Sequence, residues 1–195
     1  MRRPGGADFA PGAYVFPGGT VHPEDSESGD EIAMAAVREL FEEVGILVAR
    51  SRGRLAREAD CQLVRSELEG GRTFFHALRA CRLEPAFDRL VFLARWVTPA
   101  LLRRRYDTRF FLTRLPAGQM VRPHEGEVTD WSWITPEKAL ANPRVTLVYA
   151  TRTVLESLVT KEDETSLMAR VRRQKDVPIV EPRLVQAESG WKIEC

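Results

Sequence analysis

The chain has 195 residues, 44% of them hydrophobic and 29% charged, which gives material for a core and disfavours intrinsic disorder, collagen and coiled coil. Its length suits one domain, or one domain with an appendage, because a single core usually serves about 100–200 residues. A formal charge of +1 supplies no global field for nucleic acid or an anionic membrane, so any phosphate binding has to be local.

Tyr14-Val15-Phe16 followed by Pro17-Gly18-Gly19 reads as a short strand ending in a tight turn. A polar, acidic loop follows to Gly29. Ser28 and Glu31 have capping-box spacing, and apolar residues recur at helical period over 32–44, where Gly45 supplies the stop. Ile46-Leu47-Val48 reads as a short buried strand, and residues 54–68 and 74–81 as helices. Runs at 90–97, 109–115 and 128–134 are rich in β-formers and predict strands. Pro136 opens a short helix over 137–141, and residues 145–158 and 165–173 predict two more. The segment from Val177 reads as an appended strand or loose tail. Strands and helices that mix without strict βαβ alternation imply an α+β fold, and GxGxxG is absent.

No run approaches the roughly 18–20 apolar residues of a membrane helix, and the opening MRRPGGADFAPG lacks the apolar stretch of a secretion signal, so a cytoplasmic protein with no membrane partner is expected. Cys61, Cys81 and Cys195 are odd in number and lack CxxC spacing, which suits a reducing compartment. His22, His76 and His124 have no metal spacing and read as surface or loop residues.

On a helical wheel, Ala33, Ala36, Val37, Leu40, Phe41 and Val44 form one apolar stripe. Glu39, Glu42 and Glu43 fall together on the other side with Ala35, where like charges repel by a few tenths of a kcal/mol per pair. Alone, such a stripe is an ordinary solvated face. A pair of divalent cations would compensate it, because Mg²⁺ or Mn²⁺ takes carboxylate oxygen at about 2.1 Å.

The string Arg38-Glu39-Leu40-Phe41-Glu42-Glu43-Val44-Gly45-Ile46, preceded by Phe16-Pro17-Gly18-Gly19, resembles the Nudix box. That resemblance implies a Nudix α/β/α sandwich with a mixed sheet, and a metal-dependent hydrolase acting on the pyrophosphate of a nucleoside diphosphate linked to another group. It places the box at about 18–46 and inserted helices at about 54–82 in a domain of residues 1–175, with a tail at 176–195. It assigns Glu39, Glu42 and Glu43 to Mg²⁺ or Mn²⁺, Arg38 to orienting the carboxylates, and Glu127 to a fourth ligand or base, with Glu125 as the competing choice. Two departures stand out. Ten residues separate Gly19 from Asp30, which replaces the usual Glu, so Glu24 and Glu27 compete for its role. With only 17 residues before Gly18, a further strand of that fold is missing, so either translation begins upstream of Met1 or the tail or a partner chain, as in a homodimer, covers the vacant sheet edge.

Arg95-Trp96-Val97-Thr98-Pro99 and Arg105-Tyr106-Asp107-Thr108-Arg109-Phe110-Phe111 resemble the branch typified by the peroxisomal acyl-CoA diphosphatase. This implies CoA or acyl-CoA as substrate, with adenosine 3′,5′-bisphosphate and 4′-phosphopantetheine as products. Arg109 and Arg105 are then candidate phosphate ligands and Phe110 a support for base or pantetheine, although core packing and a solvated run at 103–105 are the plainer readings. ADP-ribose, a dinucleotide, a capped RNA and a non-catalytic nucleotide-binding module are the alternatives; the neutral charge disfavours long RNA.

Overall fold

Branched and small apolar side chains at helical spacing drive the principal helix. A computed structural model, describing residues 1–101, 105–177, 179–187 and 190–194, shows it as α1 (Glu31–Val44). Its N-cap is Asp30, whose carboxylate accepts from the Ala33 N–H at 3.1 Å. The expected Ser28/Glu31 box does not form, because the Ser28 hydroxyl donates to the Asp25 carbonyl at 2.7 Å instead. Gly45 closes α1 at φ 78°. A Cβ there would stand 3.0 Å from Arg65 Nη2 and 3.1 Å from the Arg122 carbonyl oxygen, so both the dihedral and the close approach call for glycine.

The structure divides into two compact units: residues 1–90 with 113–133, and residues 91–112 with 134–195. In the first, Met34, Val37 and Phe41 of α1 pack with Leu47, Val48, Cys61, Val64, Phe74 and Leu78. Each such side chain gains about 1.5–3 kcal/mol from burial. Strand β1 (Ala49–Ser51) lies between β2 (Arg54–Leu55) and β3 (Glu84–Pro85), antiparallel to both. Helix α2 (Glu58–Glu69) follows β2, so the helix expected from residue 54 starts four residues later, where Asp60 accepts from the Arg57 N–H at 2.8 Å. Helix α3 (Phe74–Ala80) matches its predicted place.

Residues 46–48 are buried as expected but are not a strand. The Gln119 side chain takes the place of a neighbouring strand there. Its Oε1 accepts from the Leu47 N–H at 2.8 Å, and its Nε2 donates to the Leu47 and Ala56 carbonyls at 2.9 and 2.8 Å. One buried amide therefore satisfies both backbone groups of Leu47.

The strands expected at 14–16 and 128–134 reduce to isolated bridges from Arg2 to Tyr14 and to Asp130. Asp130 accepts from the Trp131 N–H at 2.8 Å and from the Tyr14 hydroxyl; such local side-chain bonding competes with ladder formation. Among the described residues no strand precedes Gly18.

In the second unit, β4 (Val91–Val97) pairs antiparallel with β5 (Asp107–Leu112), with an irregularity between Phe92 and Ala94. Strand β5 begins two residues before the predicted run and ends three residues before it. Helices α4 (Pro136–Ala141), α5 (Tyr149–Leu158) and α6 (Glu164–Arg173) follow, the last two supplying Val154 and Val171 to a core with Val91, Leu93 and Trp96. Helix α5 starts four residues later than expected. β6 (Ile179–Val180) pairs parallel with β4, so this sheet is mixed and the segment after residue 176 covers one β4 edge. β7 (Arg183–Ala187) and β8 (Gly190–Glu194) form a separate hairpin. No described helix is long and apolar enough to cross a membrane. The architecture is α+β.

Replacing Gln119 by Leu would strand the Leu47 amide and two carbonyls in the interior. Stability is expected to fall by about 2–4 kcal/mol, read as a lower urea midpoint at unchanged slope. An unchanged midpoint would mean that water replaces the clamp.

Candidate active site

A buried guanidinium has to be matched by acceptors, and Arg38, with 3% side-chain exposure, has four. Its Nε and Nη2 donate to the two carboxylate oxygens of Asp25, each at 3.1 Å; Nη1 donates to Glu39 at 2.8 Å and Glu42 at 2.9 Å; and Nη2 donates to the Thr20 carbonyl at 2.7 Å. Burial acts to lower the Arg38 pKa, but the bonds to Asp25, Glu39 and Glu42 outweigh it and the pKa rises. Arg38 stays charged.

Asp25 comes from the lengthened loop. That loop folds into a 3₁₀ turn, Pro23–Ser28, packed on α1, with Asp25 also accepting from the His22 N–H at 2.8 Å. Asp25 is 1% exposed. Of the loop acids weighed from the sequence, Asp30 is the N-cap, while Glu24 and Glu27 pair with His22 and His76. An inward Arg38 requires an inward acid, but nothing in the spacing distinguishes Asp25 from the other three acids of the loop.

Glu43 is tied differently. Its Oε2 accepts from the Gly18 N–H at 2.7 Å. Burial pushes its pKa up to about 7, partly offset by the Gly18 bond and reinforced by the charges of Glu39 and Glu127. Burial also raises Glu42, against the pull of Arg38. Gly19 lies so near Glu39 that a Cβ would stand 2.3 Å from its Oε1; the Gly-Gly turn thus lets the loop approach the helix. The acidic side of α1 is therefore not an ordinary solvated face, since the buried set includes Ala35, Arg38 and Glu43.

The segment bearing Glu125 and Glu127 is bonded to the end of α1. Arg122 N–H donates to the Val44 carbonyl at 2.8 Å and His124 N–H to the Glu43 carbonyl at 3.0 Å. Glu127 is exposed, and its charge acts on Glu43. The first unit thus brings together Arg38, Glu39, Glu42, Glu43 and Glu127. Arg105, Arg109 and Phe110 belong to the second unit. There Arg105 pairs with Glu181 at 3.2 Å, Arg109 with Asp107 at 3.4 Å, and Phe110 packs on the core. Arg103 and Arg104 lie outside the described residues, as does Cys195; Cys61 and Cys81 are free thiols.

The donor chemistry fits a hard divalent cation. Three carboxylates project from successive turns, and one of them is held protonated to about pH 7 by burial and negative neighbours, a condition that a nearby cation relieves. Here Arg38 bridges Glu39 and Glu42 itself. Among the described residues no three acidic, His or Cys side chains stand at ligating spacing.

The sequence model of the NUDT19 Nudix domain matches residues 29–150, more than half of the chain. The chain belongs to this Nudix family. The match falls in the acyl-CoA diphosphatase branch to which the segments at 95–99 and 105–111 pointed. A Caenorhabditis elegans protein named "Putative nudix hydrolase 7" is 30% identical over 141 residues, covering 72% of this chain and 47% of the relative, so this chain spans about half of that relative's length. The crystal structure of a NUDIX hydrolase from Alicyclobacillus acidocaldarius superposes with a TM-score of 0.72 at 27% identity, covering 86% of this chain and 85% of that one.

Two outcomes follow from this Nudix box. Because Glu43 is raised in the folded state, its contribution to stability is full below the unfolded pKa near 4.5 and is lost as pH rises to about 7. In metal-free buffer, Glu43→Gln, whose amide oxygen still accepts from Gly18, is expected to be more stable than wild type at pH 8 and to lose that advantage at pH 4.5. Chemical denaturation at both pH values reads this; equal differences at both would contradict the burial argument. Asp25→Ala leaves Arg38 buried with fewer acceptors and should cost about 3–5 kcal/mol, seen as a fall in Tm.

Proposed function

We propose that the chain hydrolyses the P–O–P linkage of a nucleoside diphosphate joined to another group, with CoA or acyl-CoA as substrate and adenosine 3′,5′-bisphosphate and 4′-phosphopantetheine as products. The observation that carries this reading is the Arg38 hub, in which one guanidinium faces three carboxylates with Glu43 beside them. The family match supports diphosphate chemistry, and its branch supports the CoA class.

Glu39, Glu42 and Glu43, with Glu127, would hold Mg²⁺ or Mn²⁺. When bound, the cation neutralises the diphosphate and acidifies water. Glu42 suits the general base, being 38% exposed, held by Arg38 at 2.9 Å and raised above the usual carboxylate range chiefly by burial. It takes the proton as the water oxygen bonds to one phosphorus and the bridging oxygen leaves with its electron pair. Arg38 fixes the Glu39 and Glu42 carboxylates, and Asp25 fixes Arg38.

Glu42→Gln is expected to lower turnover by about 10²–10⁴-fold with the Tm preserved. Mass spectrometry of CoA incubated with protein and Mn²⁺ should show both products. Near-normal turnover of the variant removes Glu42 from the base role, and no cleavage of CoA, ADP-ribose or dinucleotides at saturating metal removes the hydrolase reading.

A further inference from the structure

Two arginines stand at backbone positions that arginine does not favour. β1 and β2 are joined by the two-residue turn Arg52-Gly53, between the paired Ser51 and Arg54, with φ of 50° and 78°. Two left-handed residues in succession make the tight hairpin turn that matches strand twist, and Asn, Asp and Gly are preferred there because other side chains crowd the backbone. Arg82 has φ 57°, directly after α3. Its N–H donates to the Arg79 carbonyl at 3.0 Å and the Leu83 N–H to the Leu78 carbonyl at 2.8 Å. That wrap closes a helix and usually carries Gly or Asn. Neither turn needs a long cationic side chain in order to form.

Both residues border the same cleft, of about 470 Å³, with Ser51, Arg54 and Cys81 as the other lining residues. Neighbouring charges are largely matched. Arg50 pairs with Asp88, Arg54 with Asp60, and Glu67 with Arg72. Glu84, opposite Arg50 in the β1–β3 register, is the further carboxylate on the adjoining strands. Burial raises the Cys81 thiol, with smaller contributions from Glu67 and Asp60, so Cys81 stays neutral and adds no negative charge. Arg52 and Arg82 are exposed, and among the described residues neither guanidinium has a hydrogen-bond or ion-pair partner.

We infer that the Arg52–Arg82 cleft binds a phosphoryl anion, carried by a small phosphate monoester or by free phosphate, separately from the Nudix box. Planar guanidinium forks match phosphate oxygens bidentately, and the Ser51 hydroxyl adds a neutral donor. Local stability is given up at two turns to place the two forks, a compromise often found at binding sites.

Asparagine is the informative replacement, because it suits both left-handed positions while removing both charges. Wild type and the Arg52→Asn/Arg82→Asn variant are titrated with inorganic phosphate and with adenosine 3′,5′-bisphosphate. Thermal shift and calorimetry are read at constant ionic strength, with chloride as control and EDTA present. For wild type, a Tm rise of about 2 °C at 10 mM phosphate is expected. The ligand-free double variant should melt about 1–2 °C higher than wild type and bind phosphate at least tenfold more weakly. A stronger response to the bisphosphate that is lost in the variant identifies a monoester as the natural source, and an equal loss for both ligands identifies free phosphate. No shift with inorganic phosphate in wild type, or a phosphate shift that persists in the variant, overturns the inference. The readout uses neither metal nor turnover, so its failure is distinct from failure of the hydrolase reading.

Discussion

The buried guanidinium of Arg38 is the constraint on which the first unit depends. A cation out of water needs its donors matched, and here the matching groups come from α1 and from the loop before it. Asp25 and the Thr20 carbonyl fold the loop over the helix, while Glu39 and Glu42 are gathered along it. Three carboxylates around one cation leave an excess of negative charge, and Glu43 lies beside them with a pKa pushed up to about 7. The same bonds that build the fold therefore leave the site short of positive charge.

A second constraint is that side chains replace missing strand partners. Gln119 satisfies Leu47 and Ala56, and the backbone after it bonds to the carbonyls at the end of α1 through Arg122 and His124. Gln119 thus anchors the chain shortly before Glu125 and Glu127, and the α1 contacts bring their segment alongside Glu43. Gly45 permits this approach, because a Cβ would press on both Arg65 and Arg122.

The helix and its three glutamates were legible in the sequence because helical periodicity and a capping glycine are local signals. Register within one helix follows from spacing alone. Asp25 was not legible: four acids crowd the loop between residues 24 and 30, and which of them turns inward depends on a 3₁₀ turn that spacing does not announce. Gln119 was hidden for a different reason. It acts 72 residues from Leu47, and nothing local marks an amide as a strand substitute. The alternating tryptophans near residue 131 suggested a strand, yet the Asp130 carboxylate engages the adjacent N–H, and Trp133 is 71% exposed.

The lengthened loop sets a limit on redesign. Trimming the stretch between Gly19 and Asp30 to the ordinary family spacing would look harmless by chain-closure entropy alone, which changes slowly with length. Any trim that takes out Asp25 would also delete the carboxylate that anchors Arg38. A shortened version would need a compensating acid grafted onto the remaining turn, so in this protein insertion and box have to be transplanted together.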